Sequence, residues 1–366
     1  MPQKRRSNGE GSIFQEANGR YRISVTRWEN GKRTRKTRVA WKKADAVAIL
    51  SQLRGDTTAP TGHLNLASYL KRWLDDVVSA KAAGTLDSYT NAVDNHISKR
   101  IGNVRLDRMT PMVVQTFVAG MRRDEIGSRT QQNAFAVLSA AMEHATALNL
   151  LEKNPCGPIA RPSHETKEIN PFTLDQAKEL IAETAGTRHH AMLQLALTAG
   201  LRQGEIFGLR WDRIDFKRQT VTIDQQVVCI GGKTSIAKPK TKSSIRTIEV
   251  TPACLSSIQS HRAIVLAEGN AGNPLAFPAV EGGLIGRSTF RTRFWIPLLR
   301  SQLIAERGFH HTRHTYATLA LGAGIPAPVV SRNLGHARVS TTMDIYAHVL
   351  ETHQSEATAT ISRLFG

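Results

Sequence analysis

The apolar and polar positions of this chain change their period twice, and the changes divide it into three stretches. From about residue 11 to residue 41 the period is two. Tyr21, Ile23 and Val25 alternate with Arg20, Arg22, Thr26 and Arg27, while Asn18-Gly19 and Asn30-Gly31 supply hairpin-turn signals. Three short strands with one apolar and one cationic face are predicted. Lys42 to Leu53 then takes helical spacing, with Ala46, Ile49, Leu50 and Leu53 placed to cover the sheet. Residues 55–63, GDTTAPTGH, have the small, polar and Pro content of a linker.

From about Leu64 to Pro158 the period is helical. Leu66, Tyr69, Leu70, Trp73, Leu74 and Val77 form the first amphipathic stripe, and a second helix is expected to start with Thr85 as its N-cap. A third carries Val113, Val114, Phe117, Val118 and Met121. A fourth begins near Thr130 with Phe135, Leu138, Met142 and Ala145. Short connections between four such helices predict a small bundle whose stripes are core. Asn154-Pro155 and residues 161–170, RPSHETKEIN, mark a second boundary, after which Thr173 and Gln176 have capping-box spacing. A helix over 188–199 ending at Gly200 follows, then strands at 213–216, 220–228 and 244–250 with a turn at Gly231-Gly232. Helices are expected over 252–268, 288–305, 311–322, 326–333 and 341–350.

Composition adds a partner to this outline. Lys and Arg outnumber Asp and Glu by 49 to 30, a formal +19, and such a surplus points to a polyanion. Residues 1–60 hold 14 of those cations against 5 acids. A basic two- or three-stranded ribbon suits the DNA major groove. Arg20, Arg22, Arg27, Lys32, Arg33, Arg35 and Lys36 are the candidate contacts; the same pattern also suits RNA or a solvated basic hairpin. No run of about 18 apolar residues and no signal-peptide pattern occurs, so no membrane partner is expected. Cys156, Cys229 and Cys254 are scattered and form no CxxC, and no HExxH is present. An intracellular, reduced chain with no metal and no cofactor is expected.

The third stretch carries the chemistry. AGLRQGEIFGLRWDRID, PKTKSSIRTI, HHTRHTYAT, LGHA and TTMDIYAHV, in that order, resemble the catalytic domain of the phage-integrase family of tyrosine recombinases. Matched motif by motif, the resemblance implies Arg202 and Arg313 as a phosphate clamp, Glu205 as an orienting acid and Lys240 as the proton donor to the leaving oxygen. It implies His310 as the group that takes the tyrosine's proton or holds the phosphate, His336 as a further donor, and Tyr346 as the nucleophile. His311 competes with His310 for its role, and Lys238 and Lys242 compete with Lys240. Arg210, Arg246 and His314 read as structural or backbone-contacting.

The helical middle resembles the family's core-binding domain and the basic front end its arm-binding domain. The implied chain is multidomain and mainly α. A basic domain over 1–58 holds a small three-stranded β-sheet plus a helix, and a helical core-binding (SAM-like) domain spans 64–160. A mixed α+β catalytic domain spans 170–366. The implied activity is site-specific DNA recombination through a 3′-phosphotyrosyl intermediate, independent of metal and ATP, integrating or excising a phage or mobile element. Implied partners are double-stranded DNA at core and arm attachment sites and a homotetramer joined through the tail, residues 351–366. A host bending protein and an excisionase are candidate helpers, and the cytoplasm of a bacterial host is the expected location. A type IB topoisomerase-like relaxing enzyme and a catalytically silent DNA-binding protein are the alternatives.

Overall fold

The computed structural model describes residues 11–16, 19–29, 32–41, 46–47, 49–50, 64–164, 170–239, 242–351 and 362. The chain divides into two compact units, Met1–Thr166 and Lys167–Gly366. Among the described residues no helix is long and apolar enough to cross a membrane.

The first unit opens on an antiparallel sheet, β1 (Ser12–Gln15), β2 (Tyr21–Glu29) and β3 (Lys32–Ala40), in sequence order. Its register runs from Tyr21↔Ala40 to Glu29↔Lys32. The predicted apolar face exists: Ile23, Ala40 and Ala46 are buried together, with Ile13, Tyr21, Ile49 and Leu50 packed against them. Ala46, Val47, Ile49 and Leu50 are helical, as expected, while Leu53 lies outside the described residues. Phe14 and Trp41 are exposed, and the Arg20 guanidinium sits 4.1 Å above the Trp41 ring.

The helices of this unit follow their stripes: α1 spans 66–78, α2 83–101, α3 Pro111–Arg123 and α4 Ser128–Ala147. Leu66, Tyr69, Leu70, Trp73 and Leu74 are buried in one cluster with Phe117, Met121, Phe135 and Leu138. Each fully buried leucine contributes on the order of 2 kcal/mol. The Tyr69 hydroxyl donates to the Ala141 carbonyl at 2.8 Å, which satisfies its polar end inside that core. One boundary is corrected. The second helix begins at Ala83, with Ala82 as cap, so Thr85 lies inside the first turn rather than before it.

In the second unit, α5 (Leu174–Glu183) starts with the predicted capping box, the Thr173 hydroxyl accepting from the Gln176 N–H and the Gln176 side chain accepting from the Thr173 N–H. Helix α6 (His190–Thr198) is buried on nearly every side, and a short α7 (Gln203–Phe207) follows. Strands β4 (Ile214–Asp215), β5 (Thr220–Ile223) and β8 (Arg246–Glu249) form one antiparallel sheet. The strand expected over 220–228 is in fact two strands in different sheets. The chain breaks at Asp224 and Gln225, which are tied away from it: Arg213 Nε donates to Asp224 at 2.5 Å and Gln225 Nε2 to the Gly208 carbonyl at 2.8 Å. Strand β6 (Gln226–Ile230) then pairs with β7 (Lys233–Ala237), which the sequence pattern does not predict.

The β6–β7 hairpin lies against α7 because Gly204 and Gly208 let it. A Cβ on Gly204 would stand 2.5 Å from the Val227 carbonyl oxygen, and one on Gly208 would stand 2.9 Å from Gln226 Cα. Among the described residues five more helices follow in this unit: α8 (Pro252–Ala267), α9 over 287–301, α10 (His311–Gly322), α11 (Ala327–Leu334) and α12 (Val339–Glu351). Trp295, Phe277, Phe207, Phe290 and Phe309 anchor the main core. A separate small cluster of Tyr316, Leu321, Val330, Leu334 and Tyr346 joins the last three helices.

Candidate active site

The site is built around one helix end. Helix α11 stops at Gly335, whose left-handed conformation (φ +66°) turns the chain and leaves the last carbonyls without helical partners. Guanidiniums take them. Arg246 Nε donates to the Asn333 carbonyl at 2.6 Å, and Arg313 Nη2 donates to Leu334 at 2.5 Å. Arg202 Nη2 makes a long contact of 3.5 Å with Gly335. The partial negative charge of a helix C-terminus favours cations here. The three arginines come from α10, β8 and the start of α7.

Glu205 fixes two of them. It is 3% exposed, and Arg246 grips it with a fork, Nη1 to Oε1 at 3.0 Å and Nη2 to Oε2 at 2.8 Å. Arg202 Nη1 donates to Oε1 at 2.8 Å and its backbone N–H to Oε2 at 2.9 Å. Burial pushes the Glu205 carboxyl up, but the Arg246 hydrogen bonds and the charges of Arg246 and Arg202 outweigh it and hold the group at about 2. The ordinary value is 4.5, so the stabilisation is complete above that pH and is lost as pH falls toward 2. Glu205→Gln is therefore expected to unfold at lower temperature than the wild type at pH 7, with the gap closing between pH 4.5 and 2; thermal melts across that range check it.

Arg313 is 2% exposed and, among the described residues, bonds no carboxylate; Nη1 donates to the Gly200 carbonyl at 2.9 Å. Burial, then the charge of Arg202, pushes it down to about 9, which leaves it a cation at neutral pH. Gly200 is required twice over. Its φ is +68°, and a Cβ there would lie 2.4 Å from Tyr316 Cδ1. Gly200→Ala should destabilise the fold by about 1–3 kcal/mol, measurable as a lower urea midpoint. With three guanidiniums against one carboxylate, the cluster holds two uncompensated positive charges. That arrangement suits the extra charge a phosphodiester gains under attack.

The histidines and the tyrosine surround this cluster. His310 precedes α10 and is exposed, its ring 4.8 Å from and perpendicular to that of His314. Desolvation, then the charges of His314, Arg313 and Arg202, lower its pKa. His311 is tied to its own turn, its Nδ1 3.0 Å from the Gly308 carbonyl. His336 follows Gly335 directly, and its Nδ1 lies 2.8 Å from the buried Thr342 hydroxyl. Burial and the charges of Arg313 and Arg202 lower it to about 4, so it is neutral at pH 7. Tyr346 interrupts α12 with non-helical backbone angles (φ −119°, ψ 19°) and is 1% exposed. Its hydroxyl lies 2.6 Å from His314 Nδ1. Burial pushes the phenol up to about 12, against the opposing pull of Arg313.

The structure thus brings together Arg202, Glu205, His310, Arg313, His336 and Tyr346 from the predicted set. Lys240 lies outside the described residues; Lys238 is exposed on the strand side of it, and Lys242 opens a short turn on the other. Arg246 and His314, read from sequence as structural, contact Glu205 and Tyr346 directly. Arg246 lies within the PKTKSSIRTI motif, but its pairing with Glu205 depends on a contact 41 residues away. Arg210 is elsewhere, paired with Asp212. In the N-terminal sheet, Arg22 pairs with Glu16 and Arg35 Nη2 donates to the Ser24 hydroxyl at 3.1 Å. Arg27, Lys32, Arg33 and Lys36 lie on the paired strands β2 and β3.

Known proteins resemble this chain in sequence and fold. Residues 170–353 match the model of the phage integrase family, and residues 65–122 match that of the phage integrase N-terminal SAM-like domain. The chain is 28% identical to a XerC-like tyrosine recombinase of Caldanaerobacter subterraneus subsp. tengcongensis over 94% of this chain and 96% of the relative. It is 26% identical to the integrase of Mycobacterium phage L5, covering 90% and 91% of the two. A Tn1549 transposon integrase solved with circular intermediate DNA has the same fold, with a TM-score of 0.69, 19% identity, and coverage of 82% of this chain and 99% of that one. Half of the chain, including every described residue of the arginine–histidine–tyrosine cluster, falls within the family match, and the chain belongs to the phage integrase family of tyrosine recombinases.

Proposed function

We propose that this site-specific recombinase integrates and excises a phage or related mobile element, with Tyr346 as the nucleophile. The observation that carries the reading is a cluster of three arginines with a surplus positive charge, with the Tyr346 hydroxyl held by His314, the residue next to Arg313. In cleavage, Tyr346 Oη attacks the phosphorus and the 5′-oxygen leaves, giving a 3′-phosphotyrosyl link and a free 5′-hydroxyl. Arg202, Arg313 and His336 hold the nonbridging oxygens, and Glu205 acts through the arginines it orients. Lys240 protonates the leaving oxygen, the role that the Pro239-Lys240-Thr241 motif supports by resemblance. The phosphotyrosyl bond keeps the energy of the broken link, so rejoining to another 5′-hydroxyl follows without ATP.

The N-terminal sheet is the arm-site module in this reading. Arg20, Arg22, Arg27, Lys32, Arg33, Arg35 and Lys36 contact phosphates, and the exposed Phe14 and Trp41 lie on the same module. The bundle and the last unit hold the core site, an arrangement in which one contact raises the effective concentration of the other. A lambda integrase tetramer bound to a Holliday junction shares the fold at a TM-score of 0.58 and 16% identity, which supports a tetramer on DNA; the tail proposed to join it, residues 351–366, lies almost wholly outside the described residues. An excisionase and a bending protein would set direction.

The test is covalent trapping on nicked duplexes made from the DNA flanking the gene, in chelator and without ATP. A DNA-linked peptide containing Tyr346 is the expected product. Tight binding with no adduct on any such duplex would leave a silent DNA-binding protein, and relaxation of supercoils without exchange between two sites would leave a topoisomerase.

A further inference from the structure

Tyr346 is deeply buried, and that raises the question of where its proton goes. With 1% of its surface exposed, the phenol cannot hand the proton to bulk water. Among the described residues, the one side chain in hydrogen-bond contact with the hydroxyl is His314, at 2.6 Å. His310, to which the resemblance gives this task, makes no such contact. Its ring stands 4.8 Å from that of His314, on the solvent side.

We infer that His314 Nδ1 is the immediate proton acceptor for Tyr346 during strand cleavage and the immediate donor during rejoining, with His310 passing the proton between His314 and solvent. The inference rests on the recombinase reading. As Tyr346 Oη bonds to phosphorus, its proton moves to His314 Nδ1. The P–O5′ bond breaks, and the departing oxygen takes a proton from the Lys240 ammonium. The products are an imidazolium, a phosphotyrosyl bond, a 5′-hydroxyl and a neutral lysine, and rejoining reverses each transfer.

The surroundings keep the acceptor ready. Burial lowers the His314 pKa to about 4, helped by His311 and Arg313 on its own helix, and Tyr346 faces it from α12. The imidazole is therefore uncharged at neutral pH, with a lone pair for the phenol, whose buried O–H needs an acceptor. So weak a base does not ionise a phenol in the free protein. An incoming phosphate changes this, because its negative charge raises the imidazole's affinity for a proton. Bond formation to phosphorus also removes the charge that would otherwise stay on the tyrosine oxygen. Transfer is thus tied to attack, and the free enzyme keeps its nucleophile protonated.

Two variants separate proton transfer from mere holding. His314→Asn can still accept a hydrogen bond from the phenol but takes no proton, whereas His314→Ala opens space beside the hydroxyl. On a nicked duplex that traps the wild type, both should form adduct about 10²–10⁴-fold more slowly, with DNA affinity and melting temperature close to the wild type for the Asn variant. Added imidazole should restore part of the Ala variant's rate, increasingly as pH rises and more of it is free base. An Asn variant that cleaves at the wild-type rate overturns the inference. Nitrogen NMR of the free wild-type protein supplies a second test that needs no DNA. The inference expects His314 to carry its hydrogen on Nε2, and a hydrogen on Nδ1 overturns it. A wild type that forms no Tyr346 adduct would instead overturn the recombinase reading, while the nitrogen spectrum still decides whether His314 can accept.

Discussion

Tyr346→Phe is expected to bind attachment DNA as the wild type does and to form no covalent adduct. The ring stays where it is, packed with Tyr316, Leu321 and Leu334, so the substitution removes one oxygen and little else. Its hydroxyl has His314 as its hydrogen-bond partner, and losing that bond costs about 1 kcal/mol. The effect on chemistry is of another order. Deleting a catalytic nucleophile lowers turnover on the order of 10⁶-fold, which on a denaturing gel is the complete disappearance of the DNA-linked band. Measured melting temperature and DNA affinity near wild type, with that band absent, would fit the nucleophile role. A persistent band would assign the nucleophile to another residue.

Arg246→Ala should produce the second largest loss, and through a different route. Arg246 touches Glu205 twice, Asn333 once and Ser244 once at 3.2 Å. Removing it leaves a buried carboxylate with only Arg202 beside it, a situation that costs about 3–5 kcal/mol. Urea unfolding followed by circular dichroism should show the unfolding free energy fall by that amount and the midpoint fall with it. The double variant Arg246→Met with Glu205→Leu removes both charges and keeps the volume, and should recover most of the stability. Cleavage should not recover, because Arg202 then loses the carboxylate that aims it. A double variant regaining both would make Glu205 and Arg246 dispensable to the clamp.

Much of this was readable beforehand, and the reasons differ by element. The bundle helices have a stripe that repeats four or more times, so Leu66 to Leu74 could not sit in any other way without exposing Trp73. Thr173 and Gln176 announced their cap because both partners of the box are local. The motif residues were legible as a set by resemblance, and the fold brought six of the seven together, with Lys240 outside the described residues. What was hidden depends on contacts distant in sequence. Asp224 and Gln225 end a strand only because Arg213 and the Gly208 carbonyl bind them. Arg246 is an ordinary exposed-looking strand position until Glu205 arrives. His314 became notable only when Tyr346, on another helix, came within 2.6 Å.

The carbonyl end of α11 has one more implication, for how this gene can vary. Three arginines from three distant parts of the chain take their positions from consecutive residues, Asn333, Leu334 and Gly335. One residue inserted or deleted within α11 would rotate that end by about 100° and shift it by about 1.5 Å. All three guanidiniums would lose their seats together. The loops that lead into α11 can absorb changes of length, but the helix itself cannot. Natural length variation among functional versions of this protein should therefore stop abruptly at Ala327 and resume only beyond His336.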